Sequence, residues 1–558
     1  MGKVDELYER LLERYSALYV MPKLQLERRI SELQERGYSR EEAVRILYEE
    51  TFGPPQRAPF PPPPPPPPKA ERGVLDLMPG AFNAYTHSPC LVLAVLLKDS
   101  LSYVSSAAVL GLMLYLISEA ARAGGTITLG AVLRAIVGNA RLIACAAAVG
   151  VVVVLVSALS SSVYWAALIR ASLKLMRGER AGVSDLAAGV ADFPRVVRAL
   201  LLAEALRSLG LVPLAALLAQ PLLSPKALRP RELAMLLAAL AIYAVLSALW
   251  YAVTWLLTLF TPHEVILRGK SAPKAVAGSL LMARRAIGDL ILYALLALTI
   301  RVCAAAASAA LAWLHVSIAT LASFAIAAVA KPVLDVSITG VYALRTGRRV
   351  ESWRERAPLL SAASRYLRAG VRELARFVRD PGSAPFVALA AASLAASWVV
   401  GDYLGRGALA PLSRLLVKRG RLSPFISETL PVSVVWEVFL NNWKVAAMCS
   451  LGGFFHVVPP LAALVNGLVL GLVTARLEPL EAAILIAPHG AVELPAFVLS
   501  VAAGMRLSFY LATRREGLTE ALRRAALIAV GLAIPLLAAA VIEAFVTPQL
   551  ARAVLGWR

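Results

Sequence analysis

The chain has 558 residues, 59% of them apolar, a mean hydropathy of +0.68 and a formal net charge of +21. Apolar content at this level excludes an ordinary soluble domain. The basic residues are spread between apolar segments instead of forming one patch, which reads as loop charge of a membrane protein and argues against nucleic-acid binding. Cys90, Cys145, Cys303 and Cys449 are scattered without paired spacing, so neither a disulfide framework nor a metal-binding cysteine pair is expected.

In chain order, residues 1–53 read as a small soluble helical hairpin. Leu26, Ile30 and Leu33 share one face of a helix over Leu24–Arg36, and Gly37 ends it. Ser39-Arg40-Glu41-Glu42 is a capping-box pattern for a second helix, Glu41–Glu50. Residues 54–73 form a proline-rich linker, in which Pro61–Pro68 predicts polyproline II and a stiff spacer about 25 Å long.

Residues 74–342 read as a six-helix membrane module, with helices near 91–118, 142–166, 199–220, 233–260, 286–312 and 314–340. Loops 167–198 and 261–285 hold six and five Lys/Arg, so they and the N-terminus are expected inside. Arg301 falls near the centre of its helix and needs an acid from Glu204, Asp289 or Asp335, while Lys331 and Asp335 are spaced to pair. His87-Ser88-Pro89, with Pro262-His263-Glu264, Ala275 and Ser279, weakly resembles membrane domains attached to some glycerophosphodiester phosphodiesterases; no chemistry is carried over from it.

Residues 343–380 are a cytoplasmic connector with ten Arg and four acidic residues, suited to anionic headgroups or to anchoring topology. Residues 381–558 read as a five-helix module, with segments near 384–401, 441–457, 459–476, 486–511 and 525–546. The fold class expected is therefore all-α: a polytopic membrane protein with about eleven transmembrane helices and a C-terminus outside the cell membrane.

The last module holds the chain's polar motifs. Asn441, Asn442 and Asn466 are three of only five Asn. Pro488 suits a first helical position, placing His489 and Glu493 four apart at the outer start of a helix, with Glu543 ending the last helix at the same face. These six residues form the candidate polar cluster. Gly467 and Gly471 make a GxxxG, and Gly452, Gly453 and Gly490 join them as candidate helix-packing positions.

Three ordered motifs in roughly residues 380–550 carry a resemblance. They are Asn441-Asn442 with Gly452-Gly453 and Asn466-Gly467…Gly471; Pro488-His489-Gly490…Glu493-Leu494-Pro495 with Ala503-Gly504-Met505-Arg506-Leu507; and Ile542-Glu543-Ala544-Phe545-Val546-Thr547-Pro548. Together they resemble the stage II sporulation protein M family. The resemblance implies an integral-membrane scaffold of a remodelling complex that works with cell-wall hydrolases.

His489 and Glu493 offer two metal ligands where a zinc site needs three or four. HExxH, a nucleophile motif and a phosphate loop are all missing from the sequence. The expectation is thus a non-enzymatic scaffold or complex subunit without cofactor or metal. Its partners are the lipid bilayer and other membrane proteins, with a homo-oligomer left open. The alternative is a transporter or channel with a polar path through the C-terminal module, and an intramembrane hydrolase ranks behind both.

Overall fold

The computed structural model describes the chain except residues 1–2, 17–20, 54–72, 89–90, 102–103, 106, 110, 114–139, 214–216, 218–229, 315, 349, 351–358, 408, 411–412, 414–430, 514–516 and 557–558. The proline run Pro61–Pro68 lies outside the described residues. The chain divides into two compact units, Met1–Glu71 and Arg72–Arg558.

The first unit has three helices, α1 (Lys3–Ser16), α2 (Pro22–Glu35) and α3 (Arg40–Phe52), so the expected hairpin is corrected to a three-helix bundle. The helix added is α1, whose Val4, Leu7, Leu11 and Tyr15 recur at helical spacing. Leu11 packs with Leu26, Ile30, Ala43, Val44 and Leu47, all buried. Gly37 (φ +95°) closes α2, and Ser39 and Glu42 form the reciprocal capping box of α3. Glu27 joins the three helices: it accepts from Tyr8 at 2.7 Å and from Arg40 at 2.7 Å.

The second unit is helical throughout its described residues. Its first part runs α4 (Val74–His87), α5 (Val92–Ser100), α6 (Ala140–Met176), α7 (Val183–Val190), α8 (Phe193–Ser208), α9 (Pro230–Leu257), α10 (Thr261–Arg268), α11 (Ala272–Arg285), α12 (Ile287–Leu314) and α13 (Val316–Arg345). The second part continues through α14 (Leu359–Arg379), α15 (Ala384–Arg406), α16 (Pro431–Gly452), α17 (Val458–Thr474), α18 (Pro479–Thr513), α19 (Leu518–Gly531), α20 (Ala533–Val541), a π-turn (Ile542–Val546) and α21 (Thr547–Leu555).

The expected eleven transmembrane helices are not found. Among the described residues six spans are long and apolar enough to cross a bilayer: Ala148–Met176, Ala238–Arg268, Ile287–Ala306, Pro381–Arg406, Pro479–Thr513 and Leu518–Leu555. A seventh arises if α4 and α5, bent by 83°, act as one broken span. Of the segment near 199–220, residues up to Ser208 belong to the 16-residue α8, which buries an ion pair between Glu204 and Arg207 at 2.6 Å, and residues 214–216 and 218–220 lie outside the described residues. The segment near 459–476 is the 17-residue α17. Hydropathy cannot separate a helix buried among other helices from one buried in lipid, which is why the count ran high. With it falls the parity argument for the two termini.

Buried acids of the first part are held by partners on the same and on neighbouring helices. Asp335 accepts from Tyr164 (2.5 Å), Tyr293 (2.6 Å) and Lys331 (2.5 Å). Asp289 pairs with Arg345 at 3.2 Å. The three acids expected to meet Arg301 are thus engaged elsewhere: Glu204 and Asp335 each meet a cation one turn away on their own helix, and Asp289 meets Arg345 of α13. The first part also shares its core with the second: Ala447, Leu451, Leu507, Leu522 and Ala526 belong to the same buried cluster as Leu97, Leu168 and Val190.

Arg40 donating to Glu27, with Tyr8, outweighs burial and holds that carboxyl below its ordinary value of 4.5. A depressed carboxyl contributes stability above its unfolded pKa, and that contribution is lost as pH falls through the folded one. Glu27→Gln should therefore speed amide exchange of α1–α3 in the full-length protein at neutral pH. Wild type and variant should converge as pH falls through the lowered folded-state pKa, where Glu27 becomes protonated in folded and unfolded chains alike. A difference independent of pH would show that Glu27 acts only through packing.

Candidate metal centre in the C-terminal helices

α18 starts at Pro479, so Pro488 is not at a helix start; it and Pro495 lie inside the helix. Pro488 is about two and a half turns in, at 3.6 residues per turn. Between Glu481 and Arg506 the only ionisable side chains are His489 and Glu493. Glu493 lies about 18 Å from Glu481 and about 20 Å from Arg506 along the helix axis. The pair therefore sits in the middle of the apolar stretch and not, as expected, at the outer end of a helix. In the last span Glu543 is likewise the only ionisable residue between Arg524 and Arg552.

Three ligand atoms, one each from His489, Glu493 and Glu543, lie within 4.8 Å of one another, and all three residues are half-buried. Local backbone irregularity accompanies the meeting. Pro488 and Pro495 have no N–H for the carbonyls of Ile484 and Ala491 four residues back. Glu543 lies in the π-turn Ile542–Val546, a single-turn widening of the kind that recurs at functional sites. Thr547, just after that turn, is buried; its hydroxyl lies 3.5 Å from the Ile542 carbonyl and 3.3 Å from His489 Nδ1. An Nδ1–H donated to Thr547 leaves Nε2 as the lone-pair nitrogen, the usual way a ligating imidazole is oriented.

Two carboxylates this close at this depth repel each other and lack water, a large cost unless a cation sits between them. A tetrahedral ion needs its ligand atoms about 3.4 Å apart. The three atoms lie within 4.8 Å of one another, so an ion of this kind would require the glutamate side chains to rotate inward. One imidazole nitrogen and two carboxylate oxygens suit a zinc-, manganese- or iron-like ion better than calcium or magnesium, which prefer all-oxygen shells.

The expectation of no enzymatic chemistry rested on there being only two ligands and on the missing HExxH, nucleophile and phosphate-loop motifs. The structure supplies a third, and three protein ligands with an open position is the pattern of catalytic metal sites. The exclusion is withdrawn.

The asparagines make hydrogen bonds within their own helices. Asn441 donates to Asn442 at 3.3 Å on α16, and Asn466 donates to the Ala462 carbonyl of its own helix at 2.8 Å. Of the glycines, Gly467 and Gly471 face α15 so closely that a Cβ on either would reach 2.5 Å from the Leu394 carbonyl oxygen or the Asp402 amide nitrogen. Gly453 abuts the backbone of Gly504, and Gly452 abuts Val458. A Cβ on Gly490 would meet only Ile486 and Leu494 of its own helix at 3.4–3.9 Å. Thr547 was missed as a site residue, although it stands in the Thr-Pro pair of the last motif; a hydroxyl beside an intramembrane glutamate was the available signal.

If Glu493 and Glu543 share one site, their effects are coupled. Detergent thermal stability of Glu493→Gln, Glu543→Gln and the double variant should give a coupling energy of about 0.5–3 kcal/mol. Strict additivity would mean that the carboxylates do not meet.

No curated protein and no solved structure matches the chain. A family model does match, over the stretch that carries this site. Residues 384–548 match Stage II sporulation protein M, and this all-helical membrane protein is similar to that family through its C-terminal segment.

Proposed function

We propose that the C-terminal module is a transporter or channel for a divalent transition-metal ion, with His489, Glu493 and Glu543 as its mid-membrane binding site. The observation that carries the reading is the three ligand atoms within 4.8 Å, half-way along an apolar helix, beside a π-turn and two intrahelical prolines. A scaffold needs polar groups only at contacts with partners, whereas a transport path needs them at depth. Broken helices at the midplane are also the way many transporters expose backbone and side-chain ligands to an ion.

Proteoliposomes loaded with a metal-sensitive dye test the reading. Wild type should admit Zn²⁺ or Mn²⁺, and Glu493→Gln should slow entry by more than about tenfold. Stoichiometric binding without flux would overturn transport and favour the second reading. In that reading the three ligands hold a resident ion whose open position activates water for hydrolysis within the membrane.

The orientation follows from charge. Arg376, Arg506, Arg523 and Arg524 gather at one end of the helices, which we infer faces the cytoplasm. In a cysteine-free background, Arg379→Cys should react with an impermeant thiol reagent only after permeabilisation. Leu480→Cys, at the other end of α18, should react in intact cells. The reverse pattern would invert the topology.

A further inference from the structure

The 21-residue helix α14 supplies no metal ligand, yet its side chains divide it into three stripes. Gly370, Glu373 and Phe377 are buried against the protein. Leu367, Val371 and Val378 are exposed. Arg365, Arg368, Arg372, Arg376 and Arg379 recur at three- and four-residue spacing and are exposed too. At about 100° per residue, the centres of these stripes stand roughly 120° apart, so each takes about a third of the helix circumference.

The surroundings of α14 place it. Asp380 follows the helix directly and the span Pro381–Arg406 begins at the next residue, which holds the C-terminal end of α14 at the membrane boundary. α14 cannot itself cross the bilayer, because an arginine stripe about 21 Å long would then meet acyl chains. It is seated on α19 through Gly370 and Gly531, where a Cβ on Gly370 would stand 2.7 Å from the Leu527 carbonyl oxygen. With the Gly370 stripe fixed there, the apolar stripe and the arginine stripe both face away from the protein.

Most of the arginine stripe is uncommitted. Arg376 pairs with Glu373 at 3.3 Å, and Arg368 donates only to the Ser364 carbonyl of its own helix at 3.4 Å. Among the described residues, Arg365, Arg372 and Arg379 make no ion pair. An apolar stripe beside a row of free arginines is what a helix lying in a bilayer interface presents. Its apolar side enters the acyl boundary while the guanidinium groups reach the headgroups. Water alone offers nothing to the aligned Leu367, Val371 and Val378, and a neutral surface offers little to the arginines.

We propose that α14 lies in the plane of an anionic membrane surface, with Leu367, Val371 and Val378 in the acyl boundary and Arg365, Arg368, Arg372 and Arg379 on phospholipid headgroups. The guanidinium fork suits phosphate oxygens. The phosphate belongs to a lipid and not to a soluble anion, because the apolar stripe needs acyl chains beside it.

The test uses the full-length, cysteine-free protein with Val371→Cys carrying a bimane fluorophore, in vesicles of mixed phosphatidylcholine and phosphatidylglycerol. The label should be quenched by a nitroxide near the top of a lipid acyl chain and shielded from iodide in the buffer. The same nitroxide carried on phosphatidylglycerol should reach it with an apparent affinity at least about tenfold higher than on phosphatidylcholine. Replacing Arg365, Arg368 and Arg372 together by Gln should bring the two lipids level. Should that variant not fold, Arg372→Gln alone should lower the preference about fivefold. A label open to iodide and untouched by the lipid nitroxide overturns the proposal, because α14 would then lie in water. A label shielded from both overturns it too, since another protein, a second copy included, would then cover the stripe. Equal quenching through the two lipids, or an unchanged preference in the arginine variants, would leave the arginines as topology anchors and overturn the anionic surface. The readout is lipid contact without added metal, so it stands or falls independently of the metal centre.

Discussion

Two carboxylates and an imidazole within 4.8 Å, set in the apolar middle of two spans, are a costly arrangement unless a cation lies among them. The packing around them keeps α18 and the last span in register. On α16, Val434 and Val435 pack against Ala540 and Ala544, on either side of Glu543. Further along the same helix, Ala446 and Cys449 pack against Ala496, Val501 and Ala503 of α18. One helix thus touches both spans that carry the candidate ligands. It can approach α18 closely because Gly504 leaves room for the Cys449 carbonyl and Gly453 leaves room for Gly504.

A second clamp works through glycine alone. Gly401 on α15 receives the backbone of Leu468, and Gly471 on α17 receives the backbone of Trp398. Ser397 adds a hydrogen bond to the Ala463 carbonyl at 3.3 Å, and Trp398 Nε1 donates to Thr474 at 2.9 Å. With little hydrophobic drive between helices in lipid, such backbone proximity and interhelical hydrogen bonding supply the specificity. The first part of the unit uses a different device: a buried Asp335 gathers two tyrosines and a lysine from three helices. A carboxylate so fully engaged fixes helix register, at the cost of tolerating no lost partner.

The His489–Glu493 pair was legible in the sequence because four-residue spacing on a helix is local, and so were the capping box of α3 and the Lys331–Asp335 pair. So was the family likeness of the C-terminal segment, whose motifs are contiguous. The depth of the pair was misread because Pro488 looks like a helix start, and only the neighbouring residues decide whether a proline begins a helix or interrupts one. The asparagines drew attention in the sequence because polar side chains are rare in this chain. Asn466 in fact bonds within its own helix, a choice no composition reveals.

The sequence by itself determined an all-helical membrane protein, since long apolar stretches leave the backbone no other way to satisfy its hydrogen bonds in lipid. Tertiary structure decided the rest. Among the described residues it reduced the spans to six or seven, because burial against protein and burial in lipid demand the same residues. It brought Glu543 to His489 and Glu493 across fifty residues of chain, which turned two ligands into three. It drew arginines from three helices around one cavity, where a count of charges along the chain shows only basic loops. Each of these depends on how helices meet, and periodicity within one helix carries no information about its neighbour.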